Sequence, residues 1–466
     1  MIKPIPIDRR NFIRQAAIVS VGFAALSRCT FSKKREVSSV PEKLSLVNDP
    51  EGYLDLPEGF SYKIISRSGD TMDDGFILPA RPDGMGTFDG ENGLVLIIRN
   101  HENGSGNPDE GPFGSKNEGL SKVDPFKLYD KGFMKSPALG GTTTLIYNEE
   151  TGKVEKQFLS LGGTLKNCAG GITPWGSWLT CEEDVSKTNA QNEKDHGFLF
   201  EVPATFTPQM ADPVPLKEMG RFNREAVAVD PATGIVYQTE DRGDGLLYRF
   251  IPNEKGNLLK GGKLQALAIK GSPAFDTRNW EEQSYNPKEI FEVEWIDMDD
   301  VLSPNDDLRY RGFKQGAACF ARGEGIWYGD EEFYFACTNG GKNKSGQVFR
   351  YKPSAHEGSD QEANNPGVLE LFAESEDESV LHMCDNLTVA PWGDLILCED
   401  NGSLNHIRGI SKNGEVYSFA CNRGSKSEFA GVVFSPSGKT LFVNIQEQGH
   451  TLAITGPWEK LARRTV

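Results

Sequence analysis

Histidine is scarce, at six in 466 residues. That is too few for the His-rich dinuclear centres many hydrolases use. There is no Gly-x-Ser-x-Gly elbow, no Gly-x-x-x-x-Gly-Lys-Ser/Thr loop and no His-Glu-x-x-His helix. These absences exclude the serine-elbow hydrolases, the phosphate-cradling P-loop and the zinc-helix peptidases. No other Ser, Thr or Asp nucleophile motif is evident. Positive charge is also short: 50 Lys and Arg face 67 Asp and Glu, for a net charge of -17. Because the first 29 residues are basic, the rest is more acidic still, which excludes nucleic-acid binding as the main role. Long apolar runs are missing too. The stretch Ala16–Leu26 is too short to span a bilayer as a permanent helix, and no other segment is apolar for long enough.

Glycine is plentiful at 51, with 26 Pro, 27 Phe, 12 Tyr and 7 Trp. Abundant turn residues and enough aromatics for a sizeable core predict many short strands joined by tight loops. At the N-terminus, Arg9-Arg10-Asn11-Phe12-Ile13-Arg14 precedes the apolar run, the pattern of a twin-arginine export signal. Residues 1–29 are read as that signal, 30–50 as a linker and 51–466 as a single catalytic domain. Cys29, in Leu26-Ser27-Arg28-Cys29, is a candidate for acylation and would make the exported chain a membrane-anchored lipoprotein. The expected partner is then the twin-arginine export machinery, the expected location is the periplasm or beyond, and the expected working unit is a monomer.

The body repeats itself. Six stretches (83–102, 167–184, 225–241, 324–341, 385–400 and 428–446) each run from a polar residue through an apolar strand, a turn and a second apolar strand to an acid or amide, which in the fourth is Asn339 shortly before its end at Gly341. Repeated hairpins at this spacing predict an all-β fold, a six-bladed β-propeller with loop insertions at 103–136, 184–197 and 252–310. A short helix is expected within 276–300. A pair of β-sandwiches is the alternative fold.

The first and last residues of an antiparallel hairpin share one end. Asn167, Glu225, Glu324, Asp385 and Glu428 are therefore expected near Glu102, Glu182, Asp241, Glu399 and Gln446 at one mouth of a central channel. So many acids at close range raise one another's pKa and call for cations, hard ions such as calcium first. The eight cysteines offer buried thiols, or bridges such as Cys168–Cys181 and Cys384–Cys398. A thiolate among the acids would instead suit iron, and Cys181, beside Glu182 and Glu183, is the strongest candidate.

Taken together, Thr180-Cys181-Glu182-Glu183, Asn100-His101-Glu102, Arg322-Gly323-Glu324-Gly325, Asp385-Asn386-Leu387, and Phe434-Ser435-Pro436 leading to Leu441–Gln446 resemble the signature segments of PhoX-type alkaline phosphatases over about residues 55–458. The resemblance implies a propeller whose ferric iron and calcium cluster hydrolyses phosphate monoesters outside the cytoplasm. It implies Cys181 as iron ligand, Glu225 and Glu324 as carboxylate ligands, and Glu182 and Asp385 as further ligands, with Glu102 and Asp241 placed by ring position. Arg322, Cys181 and Glu324 form the implied catalytic group, with Arg322 reaching phosphate oxygens. The chain is shorter than typical members, and Glu447 stands where a His is expected, with His450 displaced. Two other functions fit the same acid ring: a calcium-dependent propeller hydrolase of phosphodiesters or lactones, and a non-catalytic, metal-stabilised binding module.

Overall fold

The computed structural model describes residues 44–462; the export signal and Cys29 lie outside them. Among the described residues the fold is all-β, with three short helices of four to eight residues and several single 3-10 turns. The 276–300 segment holds no helix. It carries the strand Ile290–Asp297, and the longest helix, Leu308–Gln315, follows it. Ile290–Asp297 has Phe, Val and Trp at alternating positions, the period of a strand.

Six antiparallel hairpins form where the sequence repeats. Their strands are Pro82–Asp89 with Leu94–His101, Asn167–Ile172 with Ser177–Glu182, Arg224–Val229 with Val236–Glu240, Gly323–Gly329 with Glu332–Cys337, Cys384–Val389 with Leu395–Glu399, and Phe429–Phe434 with Thr440–Ile445. The first strands touch in a closed cycle, each against the next and the sixth against the first. This is a propeller-like arrangement. Hydrogen bonding nonetheless groups the strands into five sheets rather than six, because Ile290–Asp297 pairs with Gly262–Ile269 on one side and Val368–Glu374 on the other. That strand fuses the sheets of the third and fourth hairpins into one of nine strands.

The ring is closed by early chain segments. Ser61–Arg67 pairs with His450–Thr455 as the outer strand of the last sheet, and Leu54–Pro57 extends the fifth beside Val416–Asn422. Leu46–Val47, inside the expected linker, pairs with Leu54–Pro57. Apolar clusters fill the space between neighbouring sheets, one of them joining Tyr237, Phe320, Phe335 and Phe349. Along the axis the first strands approach too closely for side chains. A Cβ on Gly171 would lie 2.1 Å from the Val227 carbonyl, and one on Gly431, whose φ is +65°, 2.3 Å from that of Asp83.

Candidate metal centre

One irregularity recurs in every hairpin and builds the site. The first strand slips register just inside its start, between Pro82 and Met85, Asn167 and Gly170, Arg224 and Val227, Gly323 and Ile326, Cys384 and Leu387, and Ala430 and Val433. Such a bulge re-aims a side chain that a regular strand would point into the sheet. The first bulged residues are Asp83, Cys168, Glu225, Glu324, Asp385 and Gly431. Five of them carry a ligand atom, and the sixth has no room for a side chain.

A second set of acids follows the second strands. The N–H of Glu102, Glu183, Asp241 and Asp400 donates to the carbonyl of Arg81, Lys166, Asn223 and Met383 respectively, which fixes each acid beside the start of its own hairpin. Four overlapping groups result, each with ligand atoms within 4.8 Å of one another: Asp83, Glu102 and Cys168; Cys168, Glu183 and Glu225; Glu225, Glu324 and Asp385; and Asp385, Asp400 and Glu428. Gln446 donates to Asp83 Oδ2 at 2.6 Å and Glu102 Oε2 at 3.0 Å. Asn223 donates to Glu183 Oε1 at 2.7 Å.

The cluster is poor in compensating charge. Arg81 donates to Glu102 Oε2 at 2.8 Å. Arg322 bonds both oxygens of Asp241, at 2.8 and 3.0 Å, and Glu324 Oε1 at 2.7 Å. Burial, then neighbouring carboxylates, push Asp83, Glu225 and Glu428 far above the ordinary carboxylate range. Glu324 rises through burial and Asp241 despite Arg322. The same causes lift Glu183 to about 8 and Asp385 to about 7. Burial followed by Glu225 and Glu102 also holds the Cys168 thiol well above its usual range. Protein partners alone therefore leave the ring mostly protonated, whereas cations would let it ionise. A donor set of one thiol and many carboxylate oxygens fits such cations.

The structure corrects two sequence expectations. Cys181 is fully buried among Leu179, Leu199, Phe222 and Tyr248, and burial raises its thiol to about 12. It lies in the core, and Cys168 takes the ring position. Glu182 is likewise inside its sheet. Its carboxylate accepts from the N–H groups of Leu165, Gly197 and Phe198 at 2.9, 2.9 and 3.2 Å and bonds His196 Nδ1 at 2.6 Å. Glu240 and Glu399 repeat this role: each accepts the N–H of a residue leading into the third strand, Leu246 or His406. Strand alternation explains the error, since the last residue of the second strand turns inward and the next faces the mouth.

Glu225, Glu324, Asp385 and Glu102 fall in the ligand groups, and Asp241 stands beside them on Arg322. Cys168, Glu183, Asp83 and Asp400, which complete these groups, are not among the ligands expected from the sequence. The doublets Glu182-Glu183, Glu240-Asp241 and Glu399-Asp400 were the available signal, the second acid of each facing the mouth. Asn167 bonds Thr164 and Thr180 rather than the ring. All described cysteines are free thiols, so neither bridge forms. His450 bonds Tyr53.

Glu182→Gln is therefore expected to act on stability. Removing the nearer of the two carboxylates that hold buried His196, the other being Asp130 at 3.2 Å, and turning an amide toward three N–H donors should cost about 3 kcal/mol. Bound-metal content should stay at the wild-type level once the protein is folded. Denaturant unfolding paired with elemental analysis checks both, and lost metal at unchanged stability would contradict this placement.

The chain matches the family model for alkaline phosphatase PhoX over residues 43–155 and 136–449. No curated protein matches it. Among solved structures it is similar to Pseudomonas fluorescens PhoX in complex with vanadate, a transition state analogue, at 19% identity and TM-score 0.63, covering 89% of this chain and 97% of that one. It is more distantly similar to a gluconolactonase from Xanthomonas campestris, at 11% identity and TM-score 0.39 with 86% and 97% covered. Virginiamycin B lyase from Staphylococcus aureus follows at 12% identity and TM-score 0.37 with 85% and 99% covered. With the match running through nearly all of the described chain, this protein belongs to the alkaline phosphatase PhoX family and is a phosphoric ester hydrolase.

Proposed function

We propose that this protein is a metal-dependent phosphomonoesterase, built as a six-bladed propeller and working outside the cytoplasm. The observation that carries the reading is the ring of mutually destabilised carboxylates around Cys168 at one end of the six hairpins. Glu225, Glu324, Asp385, Glu102 and Glu183 would hold the ions, joined by Asp83, Asp400 and Glu428. The soft sulfur of Cys168 suits ferric iron, and the all-oxygen group of Asp385, Asp400 and Glu428 suits calcium. When bound, such ions supply Lewis-acid neutralisation of phosphoryl charge and a stronger oxygen nucleophile.

The protein's own groups orient the substrate. Asp241 and Glu324 fix the Arg322 guanidinium from two sides, leaving its planar fork at the mouth, side chain 30% exposed, to receive phosphate oxygens. Gln446 orients Asp83 and Glu102, and Asn386 donates to Asp385 at 3.0 Å. Preorganised donors of this kind need no rearrangement when charge develops.

Turnover of p-nitrophenyl phosphate by protein purified from its native host tests the reading. Hydrolysis should exceed that of bis-p-nitrophenyl phosphate, and hydrolysis of the diester or of a lactone alone would refute it. The exported location has its own test. Replacing Arg9 and Arg10 together by Lys should leave folded precursor in the cytoplasm, because the route depends on the arginine pair. Export at the normal rate would remove the twin-arginine assignment.

A further inference from the structure

The repeat places more than acids at the mouth. Two residues before the ring position, four of the six hairpins hold a non-glycine residue in left-handed backbone: Arg81, Lys166, Arg322 and Met383, with φ of 48°, 45°, 51° and 54°. The carbonyl of each accepts the N–H just after its own second strand, from Glu102, Glu183, Thr338 and Asp400. Left-handed backbone crowds the Cβ of an ordinary residue against the chain and is unfavourable. Such residues persist where the surroundings over-determine them, often at functional sites. Three of these four are cations, in a chain of net charge -17.

Arg81 matches Arg322 in more than position. Its Nη2 donates to Glu102 Oε2 at 2.8 Å and its Nε to the Glu102 carbonyl at 3.2 Å. Its Nη1, like that of Arg322, has no hydrogen-bond partner among the described residues. The two side chains are 33% and 30% exposed. The first strands contact one another in a cycle of six, and the strands entered by Arg81 and Arg322 are three steps apart in either direction. The two arginines therefore enter the ring from opposite sides of one mouth. Overlapping groups of ligand atoms run from Glu102, which holds Arg81, through Cys168 and Glu225 to Glu324, which holds Arg322, so the two arginines flank a single centre.

We propose that Arg81 is a second substrate-contacting residue, gripping the phosphoryl oxygens from the side opposite Arg322. The proposal rests on the phosphatase reading. A tetrahedral dianion presents oxygens in several directions, and one planar guanidinium fork can engage only those on its own side. Two opposed forks would centre the phosphoryl group over the acid ring.

The test is binding of inorganic phosphate to the metal-replete protein by calorimetry, with elemental analysis and p-nitrophenyl phosphate kinetics on the same preparations. Arg81→Gln should weaken phosphate binding about tenfold, as loss of a charge-assisted contact does. KM should rise in step while iron and calcium content and melting temperature stay near wild type. Arg81→Lys keeps the charge but loses the fork, and should weaken phosphate binding by about threefold. Unchanged phosphate affinity in both variants would overturn the proposal. So would metal loss accompanied by a fall in kcat at constant KM, because Arg81 would then only seat Glu102. Wild-type protein that neither binds phosphate nor hydrolyses the ester would overturn the phosphatase reading along with it.

Discussion

Cys168→Ser should lower iron content and phosphatase turnover together by at least about tenfold, the scale on which loss of support at a metal site is felt. Serine keeps the size of the side chain but exchanges a soft, ionisable sulfur for a neutral hydroxyl that binds ferric iron poorly. Cys168 belongs to two of the four ligand groups, with Asp83 and Glu102 on one side and Glu183 and Glu225 on the other. Its loss therefore opens both. The group of Asp385, Asp400 and Glu428 does not include it, so calcium should largely remain. Cys181→Ser is the matched control. That thiol sits at 0% exposure in the core, and its replacement should leave iron content unchanged. Elemental analysis of the two variants checks the pair. Iron lost from Cys181→Ser and kept in Cys168→Ser would reverse the assignment.

Exhaustive chelation should abolish activity and lower the melting temperature, because ions bound only by the folded state stabilise it by mass action. The loss should grow with pH. A carboxyl raised in the folded state adds nothing to pH dependence below about pH 4, where it is protonated both folded and unfolded. As pH climbs, the unfolded chain ionises first and the folded ring resists, so the folded state is progressively disfavoured. Asp385 at about 7 and Glu183 at about 8 carry the window through neutral pH. Chelated protein should thus lose stability from about pH 4 to about pH 8, while the metal-replete protein, whose ionised carboxylates are ligands, should not. Thermal unfolding across that range measures both. Parallel curves for the two forms would mean that the ring is satisfied by protein groups alone.

Much of this architecture is visible in the order of residues, because a hairpin writes itself as an apolar run, a turn and a second apolar run. Glu225, Glu324 and Asp385 could be placed at one end of the hairpins from that pattern alone. The exact facing of the ends could not. Glu182 closes the second strand of its hairpin on buried N–H donors, Cys181 lies on the opposite face in the apolar core, and Glu183, one residue on, reaches the mouth. Cys168 needed the bulge after Asn167, which depends on contacts between first strands distant in sequence. The fusion of two sheets through Ile290–Asp297 was equally hidden, since that strand pairs with Val368–Glu374 more than 70 residues away. Arg322 was legible by its spacing from Glu324. Arg81 was not, because its relation to Arg322 is a repeat equivalence across the ring.

Anomalous scattering at the iron absorption edge, from crystals of protein purified from its native host, tests the central claim most directly. The account predicts an iron peak at bonding distance from Cys168 Sγ, within reach of the carboxylates of Glu225 and its neighbours. A ring without iron, or an iron peak beside Cys181, would contradict it.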